Sequence, residues 1–208
     1  ATPRRRTARP GHILRLGASI TLSCLSANGE VMKNGIVAWD RKNENDLSLA
    51  WVLTAARRIQ KRTFVFRYFS GGDCGGYGGR QTDIETPLAA VAGNVDVIKV
   101  NHHGSRHSTN QTFLNALRPR VAVISVGDGN TYGHPSLESL NRLQQLPTLQ
   151  NIYQTERGSG AAVPKAKVIG NVTIAVYDSF FVADHDTFPL NLDTTAVSQK
   201  RSHADPDI

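Results

Sequence analysis

The sequence of 208 residues has little cysteine and no hydrophobic run long enough to cross a membrane. Cys24 and Cys74 are too few for a disulfide scaffold and lack zinc-finger spacing, although they could pair with each other or stay unpaired. No run of about 18 or more apolar residues occurs, so no segment is predicted to span a bilayer. Together with the overall composition, these observations exclude disulfide-scaffold, collagen-like and coiled-coil proteins.

Acidic residues are missing from the start of the chain, and this shortage accounts for most of the net charge. The sequence holds 24 Lys plus Arg against 17 Asp plus Glu, a net charge of +7. Five of the cations are arginines within residues 1–15, so residues 16–208 carry 19 basic and 17 acidic groups and are nearly neutral. We predict a basic, disordered arm over residues 1–12, which could also contact phosphates.

An initiating methionine and an apolar signal core are also missing from the N-terminus. We therefore expect a chain that is mature, processed or cut from something longer. At 39% hydrophobic and 20% charged residues, the composition is that of a folded domain and not of a disordered protein.

Hydrophobic patterning predicts strands first and then alternating strands and helices. Two strand–loop–helix units in succession indicate an α/β layer of parallel or mixed strands. A polar tail is predicted over residues 184–208. The predicted strands are 13–24, 35–40, 47–53, 63–69, 95–100, 120–126, 151–155 and 171–183, and the predicted helices are 86–92 with Thr86 as N-cap, 109–117 and 136–146.

Polar, glycine-containing loops follow three of the predicted strands. Asp73 follows the first, His102 and His103 follow the second, and His134 follows the third. If these strands are neighbours in one sheet, the four side chains converge on one rim. A carboxylate with imidazoles suits Zn²⁺ or an acid–base site, but Asp73 could also be an ordinary turn residue and His134 could merely introduce the next helix.

The segment after residue 94, VDVIKVNHHGSRHSTNQTFLNALRPRVAVISVGDGNTYGHP, resembles the metallo-β-lactamase-like hydrolase domain of the ComEC-type DNA-uptake (competence-related) proteins. It is more similar still to stand-alone, often exported bacterial hydrolases related to that domain. Upstream, ENDLSLAWVL and FVFRYFSGGD resemble the same family. The resemblance implies an α/β (α+β) fold, the αββα sandwich, with two divalent metal ions, zinc or manganese, at one rim.

The resemblance also implies roles for individual residues. Asp73 matches the carboxylate that bridges the two metal ions, and His103 matches a ligand of one ion, with His102 as the alternative. Ser105 and His134 are implied to lie near the substrate, where His134 would bind or protonate a phosphate oxygen. The other implied substrate-binding residues are Tyr132 and Asn45, with Ser48 as the alternative to Asn45.

The family's main metal-binding signature, HxHxDH, does not occur in this sequence. Residues 13–183 therefore resemble the C-terminal part of the domain, with its N-terminal portion missing. Asp73 and His103 alone are fewer than the three or four protein ligands of zinc sites, so the complete metal site is expected only in the intact domain. The resemblance to exported hydrolases favours a location outside the cytoplasm.

Three functions agree with these observations. The leading hypothesis is a metal-dependent phosphodiesterase or nuclease that acts on DNA or another phosphoester. The second is a catalytically incomplete module that binds nucleic acid through residues 4–15. The third is a hydrolase of the same fold that acts on a non-nucleic ester or lactone, because a fold does not decide the substrate.

Overall fold

The computed structural model describes residues 7–38, 43–76, 78 and 81–192. The helices are α1 Glu85–Ala92, α2 Gln111–Leu117 and α3 Leu137–Gln144, with 3₁₀ turns at Glu44–Leu47 and Asn101–Gly104. The strands are β1 Ile13–Arg15, β2 Ile20–Ala27, β3 Glu30–Val31, β4 Gly35–Ile36, β5 Ala50–Ile59, β6 Arg62–Ser70, β7 Val97–Lys99, β8 Val121–Ile124, β9 Asn151–Gln154, β10 Ala166–Val168, β11 Ile174–Val176, β12 Phe180–Ala183, β13 Asp186–Pro189 and β14 Asn191–Leu192.

A large mixed sheet organises the fold, with its strands in the order β10-β9-β8-β7-β6-β5-β2-β3-β4. Strands β1 and β14 pair with β2 and β6 outside this path. Strands β2, β5 and β6 are antiparallel, whereas β6 to β10 are mutually parallel. Parallel neighbours need crossover connections, which α1, α2 and α3 supply between β6 and β9. The carboxyl ends of β6, β7 and β8 therefore meet at one edge of the sheet.

The two faces of this sheet are covered by different layers. The three helices bury Leu88, Phe113 and Leu140 against one face. A three-stranded sheet, β11-β12-β13, lies on the other face, where the rings of Phe66 and Phe181 pack edge to face at 5.2 Å. The described residues thus form a helix layer, a mixed sheet and a small sheet, a mixed α and β architecture as predicted. They include no second helix layer of an αββα sandwich, and none of their helices is long and apolar enough to cross a membrane.

Several boundaries differ from the sequence-based prediction, and three of the differences concern β5, α1 and the predicted tail. Strand β5 begins at Ala50, later than predicted, because a 3₁₀ turn occupies the preceding residues. Helix α1 begins at Glu85 with Ile84, and not Thr86, as its N-cap, and the Thr86 N–H within the first turn donates to Asp83 Oδ1 at 2.9 Å. Residues 186–189 and 191–192, predicted as part of a polar tail, form β13 and β14.

The predicted terminal segments are only partly described. Residues 1–6 and 193–208, which hold most of the predicted arm and tail, lie outside the described residues, as do residues 39–40 of one predicted strand. Gly11 N–H donates to the Cys24 carbonyl at 2.8 Å, and Cys24 N–H donates to the His12 carbonyl at 2.8 Å. The end of the predicted arm is therefore hydrogen-bonded to β2.

Cys24 and Cys74 are both free and fully buried. Burial raises the pKa of the Cys24 thiol to about 11 and that of the Cys74 thiol to about 12. Both thiols are therefore protonated near neutral pH, so they do not react as thiolates. The sequence left open whether the two cysteines pair with each other, and in the structure they are unpaired.

Candidate active site at the edge of the mixed sheet

The loops that follow β6, β7 and β8 bring the four predicted side chains together. Asp73 Oδ1 lies 3.6 Å from His103 Nε2. The ring centroids of His102 and His103 are 6.4 Å apart, and those of His102 and His134 are 5.5 Å apart. The expected convergence on one rim therefore occurs, because the three parallel strands are neighbours.

The backbone at the two adjacent histidines is strained. His102 has φ 48° and ψ 43°, and His103 has φ 55° and ψ 22°, so two consecutive side-chain-bearing residues are left-handed. Each such residue costs roughly 1–2 kcal/mol. Gly104 follows with φ 79°, and a Cβ at this position would lie 2.7 Å from Pro135 Cβ. Strain of this kind persists only where surrounding contacts hold it, and it is concentrated at functional sites.

Hydrogen bonds from three sides hold the strained turn. His102 N–H donates to the Gly72 carbonyl at 3.0 Å, and Ser105 N–H donates to the His102 carbonyl at 2.9 Å. His103 Nδ1 lies 2.6 Å from the carbonyl oxygen of Ser125. Because a carbonyl only accepts, Nδ1 carries the proton, and in the neutral ring the Nε2 lone pair faces Asp73. Metal-binding histidines are commonly oriented by this kind of bond.

Asp73 lies in a glycine-rich turn that Ser48 and Lys99 contact. Asp73 N–H donates to Ser48 Oγ at 3.3 Å, so Ser48 reaches this loop. The alternative candidate, Asn45, lies in the 3₁₀ turn, where its N–H bonds to Asn43 Oδ1. Among the described residues, no hydrogen bond or ion pair joins the Asn45 side chain to the histidines or to Asp73.

Lys99 is a residue of this site that sequence reasoning missed. Its ammonium donates to the carbonyls of Gly72 and Val100 at 3.3 and 3.2 Å. Burial lowers the pKa of Lys99, and the charge of Asp73 partly opposes this shift. A lone lysine within the apolar run VIKV was the available signal. Lys99 places a positive charge next to Asp73 and fixes the start of the loop.

The His134 loop is clamped on itself and on the chain after β9. Asn130 Oδ1 accepts His134 N–H at 3.0 Å, and Asn130 Nδ2 donates to the His134 carbonyl at 2.9 Å. The N–H groups of Ser159 and Gly160 also donate to that carbonyl, at 3.1 and 3.3 Å. The close approach requires glycine, since a Cβ on Gly160 would lie 1.9 Å from the Pro135 carbonyl oxygen. The His134 backbone is therefore held in one position.

Burial sets the ionisation of two of the histidines. It lowers the pKa of His102, although the charge of Asp73 acts in the opposite direction. It also lowers the pKa of His134, and the neighbouring His102 and His103 add to that effect. Both rings are therefore neutral at neutral pH, the state in which imidazole binds a metal or accepts a proton. An anion bound beside His134 would raise its pKa again.

The other two candidate residues are placed very differently. Ser105 is buried, and its hydroxyl accepts the His107 N–H at 3.3 Å. Tyr132 is 80% exposed, and its ring stacks on that of His134 with centroids 5.9 Å apart. Tyr132 is therefore open to an approaching molecule, whereas Ser105 supports the loop that carries the histidines.

Glu85, which the sequence did not single out, is buried between the histidine turn and the Asp73 loop. Its fully buried carboxylate accepts from Asn101 Nδ2 at 2.8 Å, from Thr109 N–H at 2.5 Å and from Asn110 N–H at 2.7 Å. A Cβ on Gly76 would lie 2.0 Å from Glu85 Oε2. Asn101 begins the strained histidine turn and Gly76 belongs to the Asp73 loop, so one carboxylate supports both.

Asp73 and His103 fit part of a metal site. Tetrahedral zinc with ligand bonds of about 2.0–2.2 Å places neighbouring ligand atoms roughly 3.4 Å apart, close to the 3.6 Å between Asp73 Oδ1 and His103 Nε2. However, the described residues contain no group of three or more His, Cys, Asp or Glu side chains in a metal-holding arrangement. A tightly bound ion at this pair would need ligands in addition to these two.

Comparisons with known proteins relate part of the chain to competence and recombination proteins. It is 38% identical over 79 residues to the ComE operon protein 3 of Bacillus subtilis. It is 39% identical over 61 residues to recombination protein 2 of Haemophilus influenzae, and 39% identical over 62 residues to competence protein ComA of Neisseria gonorrhoeae. These matches cover 33%, 29% and 29% of this chain but only 10%, 8% and 9% of the relatives. No family model matches the sequence.

Proposed function

We propose that the intact protein is a metal-dependent hydrolase of phosphodiesters, with DNA as its substrate. The observation that carries this proposal is the Asp73–His103 pair, whose atoms lie 3.6 Å apart at the carboxyl edge of parallel strands. The hydrogen bond from His103 Nδ1 to Ser125 leaves Nε2 free to bind a metal ion. The strained backbone at His102 and His103 further supports a functional site.

The residues of the rim would have different roles in such a reaction. Asp73 and His103 would hold a divalent ion, zinc or manganese, whose chemistry is to lower the pKa of water and to polarise phosphoryl oxygens. Lys99 positions the Asp73 loop through the Gly72 carbonyl. His134, held in place by Asn130, would donate to a phosphate oxygen once the bound anion has raised its pKa.

DNA is the substrate class that the relatives favour. One of them is named for competence and another for recombination. The exposed Arg106 lines a cavity together with His134 and offers a phosphate one cation near the rim, which the Glu138 carboxylate in the same lining partly opposes. The five arginines within residues 1–15 agree with such a substrate, because cationic side chains bind the phosphate backbone without reading its sequence.

Asp73→Asn in the full-length protein tests this proposal. The amide cannot supply the carboxylate's negative charge to the ion, so we expect metal content to fall and DNA hydrolysis with Zn²⁺ or Mn²⁺ to drop about 10²–10³-fold. Asp178→Asn is the matched control, because Asp178 is exposed and pairs with Arg57 away from the rim. Metal content and hydrolysis are measured for all three proteins.

Two results would overturn the proposal. If Asp73→Asn retains wild-type metal content and hydrolysis, the site is not where the reaction occurs. If the wild-type protein binds DNA regardless of chelators and never hydrolyses it, the protein is a nucleic-acid-binding module.

A further inference from the structure

Tyr132 is a large aromatic side chain left exposed directly beside the candidate site. Its ring is nearly parallel to that of His134, with an angle of 20° between the planes. It belongs to the loop that Asn130 and Gly160 hold in place, so it is presented on a fixed backbone. A binding group fixed in advance loses little freedom when a ligand arrives, and affinity gains accordingly.

Two cavities adjoin this ring. A cavity of 330 Å³ is lined by Tyr132, His134 and Arg106 among others. A second cavity, of 200 Å³, is lined by Tyr132, His134 and His103. Tyr132 and His134 therefore border both a space lined by His103 and a larger space lined by Arg106. A ligand beside His103 would therefore lie next to the Tyr132 ring.

The lining of the larger cavity favours a flat ligand over a purely anionic one. Arg106 contributes a positive charge, but Glu138 contributes a negative charge to the same lining. With these charges opposed, attraction to phosphate alone does not explain a binding surface here. An exposed aromatic ring binds the face of any nucleobase, and such stacking tolerates every sequence.

We infer that Tyr132 is the stacking platform for an unpaired nucleobase next to the phosphate that lies at Asp73 and His103. This inference rests on the proposed function, and it narrows the substrate to single-stranded DNA or unpaired ends. A paired base in a duplex is stacked between its neighbours and offers no free face to Tyr132. Stacking on an aromatic side chain corresponds to about 5- to 150-fold in affinity.

The test compares two oligomers of equal length and charge. One is oligothymidylate, and the other carries tetrahydrofuran residues in place of every nucleoside, so it has the phosphates without the bases. Binding to the full-length protein is measured by fluorescence anisotropy, and hydrolysis is measured separately. We expect the wild-type protein to bind oligothymidylate about 5- to 150-fold more tightly than the base-free oligomer, and more tightly than a duplex of the same length.

Three variants make the test specific. Tyr132→Ala is expected to lose the preference for oligothymidylate, while Tyr132→Phe, which keeps the ring, retains it. Tyr177→Ala is the matched control and retains it too, since Tyr177 is an exposed tyrosine stacked on Phe180 in the small sheet. Folding of Tyr132→Ala is not in question, because the side chain is 80% exposed.

The possible outcomes separate this inference from the proposed function. Equal binding of both oligomers by the wild type, or an unchanged preference in Tyr132→Ala, overturns the stacking platform even if DNA is hydrolysed. A preference that depends on Tyr132 without any hydrolysis supports the platform and counts against the hydrolase. Tighter binding of the duplex than of oligothymidylate also overturns the inference.

Discussion

Gly160→Ala is expected to destabilise the protein by about 3 kcal/mol and to displace His134. The added Cβ would lie 1.9 Å from the Pro135 carbonyl oxygen and 2.6 Å from that of Gly133. Both neighbours are backbone atoms, so no side-chain rotation relieves the overlap and the His134 loop must move. For a chain of this size the loss corresponds to a melting temperature lower by about 6–12 °C.

Gly127→Ala is the matched control for this prediction. Gly127 lies in the His134 loop, against which Gly160 packs, but a Cβ on Gly127 meets nothing within 4 Å, and its φ is not left-handed. Its melting temperature should stay near that of the wild type. Hydrolysis by Gly160→Ala should fall about 10²-fold, because a displacement of about 1 Å in a reacting group costs that much. A Gly160→Ala protein as stable and active as Gly127→Ala would show that the clamp does not position His134.

Glu85→Ala is expected to lower the free energy of unfolding by at least about 3 kcal/mol. The substitution leaves three buried donors, Asn101 Nδ2, Thr109 N–H and Asn110 N–H, without their acceptor, and each unsatisfied group costs roughly 1–3 kcal/mol. Glu138→Ala is the control, because Glu138 is also in the first turn of a helix but is exposed. Urea denaturation should show a much smaller loss for the control, and equal losses would contradict the account.

The ionisation of Glu85 gives this prediction a pH dependence. Burial raises its pKa from 4.5 to about 7, and outweighs the hydrogen bonds that favour the carboxylate. Since the pKa of Glu85 is higher in the folded than in the unfolded protein, the protonated carboxyl stabilises the folded state. This contribution is complete below pH 4.5 and is lost as the pH rises through 7. The shift corresponds to about 3 kcal/mol.

Glu85→Gln isolates that dependence, because glutamine does not titrate. The stability of the wild type relative to Glu85→Gln should be greater at about pH 5 than at about pH 8. Urea denaturation of both proteins at the two pH values measures this difference. A difference that stays constant, or that grows towards pH 8, would mean that Glu85 has no raised pKa in the folded protein.

The convergence of Asp73 with the histidines could be predicted from the sequence because it follows from local pattern and sheet geometry. Each of these residues lies in the loop that follows an apolar strand, and parallel strands that are neighbours carry such loops to one edge. The patterns that define strands and helices are short-range, so they can be recognised in the sequence without knowledge of the tertiary structure. The elements between residues 95 and 146 were accordingly predicted at nearly their observed positions.

The supporting residues could not be predicted, since their roles depend on contacts between distant segments. Glu85 looks like an ordinary acidic residue in the first turn of a helix, and its burial arises only when α1 packs beside α2. Gly160 stands in a polar segment where a glycine signals no more than a loop. Its need for glycine comes from the Pro135 carbonyl. Strands β13 and β14 were missed because they are short and lie in a polar segment.

Anomalous diffraction at the zinc edge, from crystals of the full-length protein grown with Zn²⁺, decides whether Asp73 and His103 bind a metal ion. We expect a peak about 2.0–2.2 Å from both Asp73 Oδ1 and His103 Nε2. Such a peak would place the ion at the pair whose atoms are 3.6 Å apart in the structure. A peak bound by other residues, or a zinc-loaded protein with no density between Asp73 and His103, would contradict this expectation.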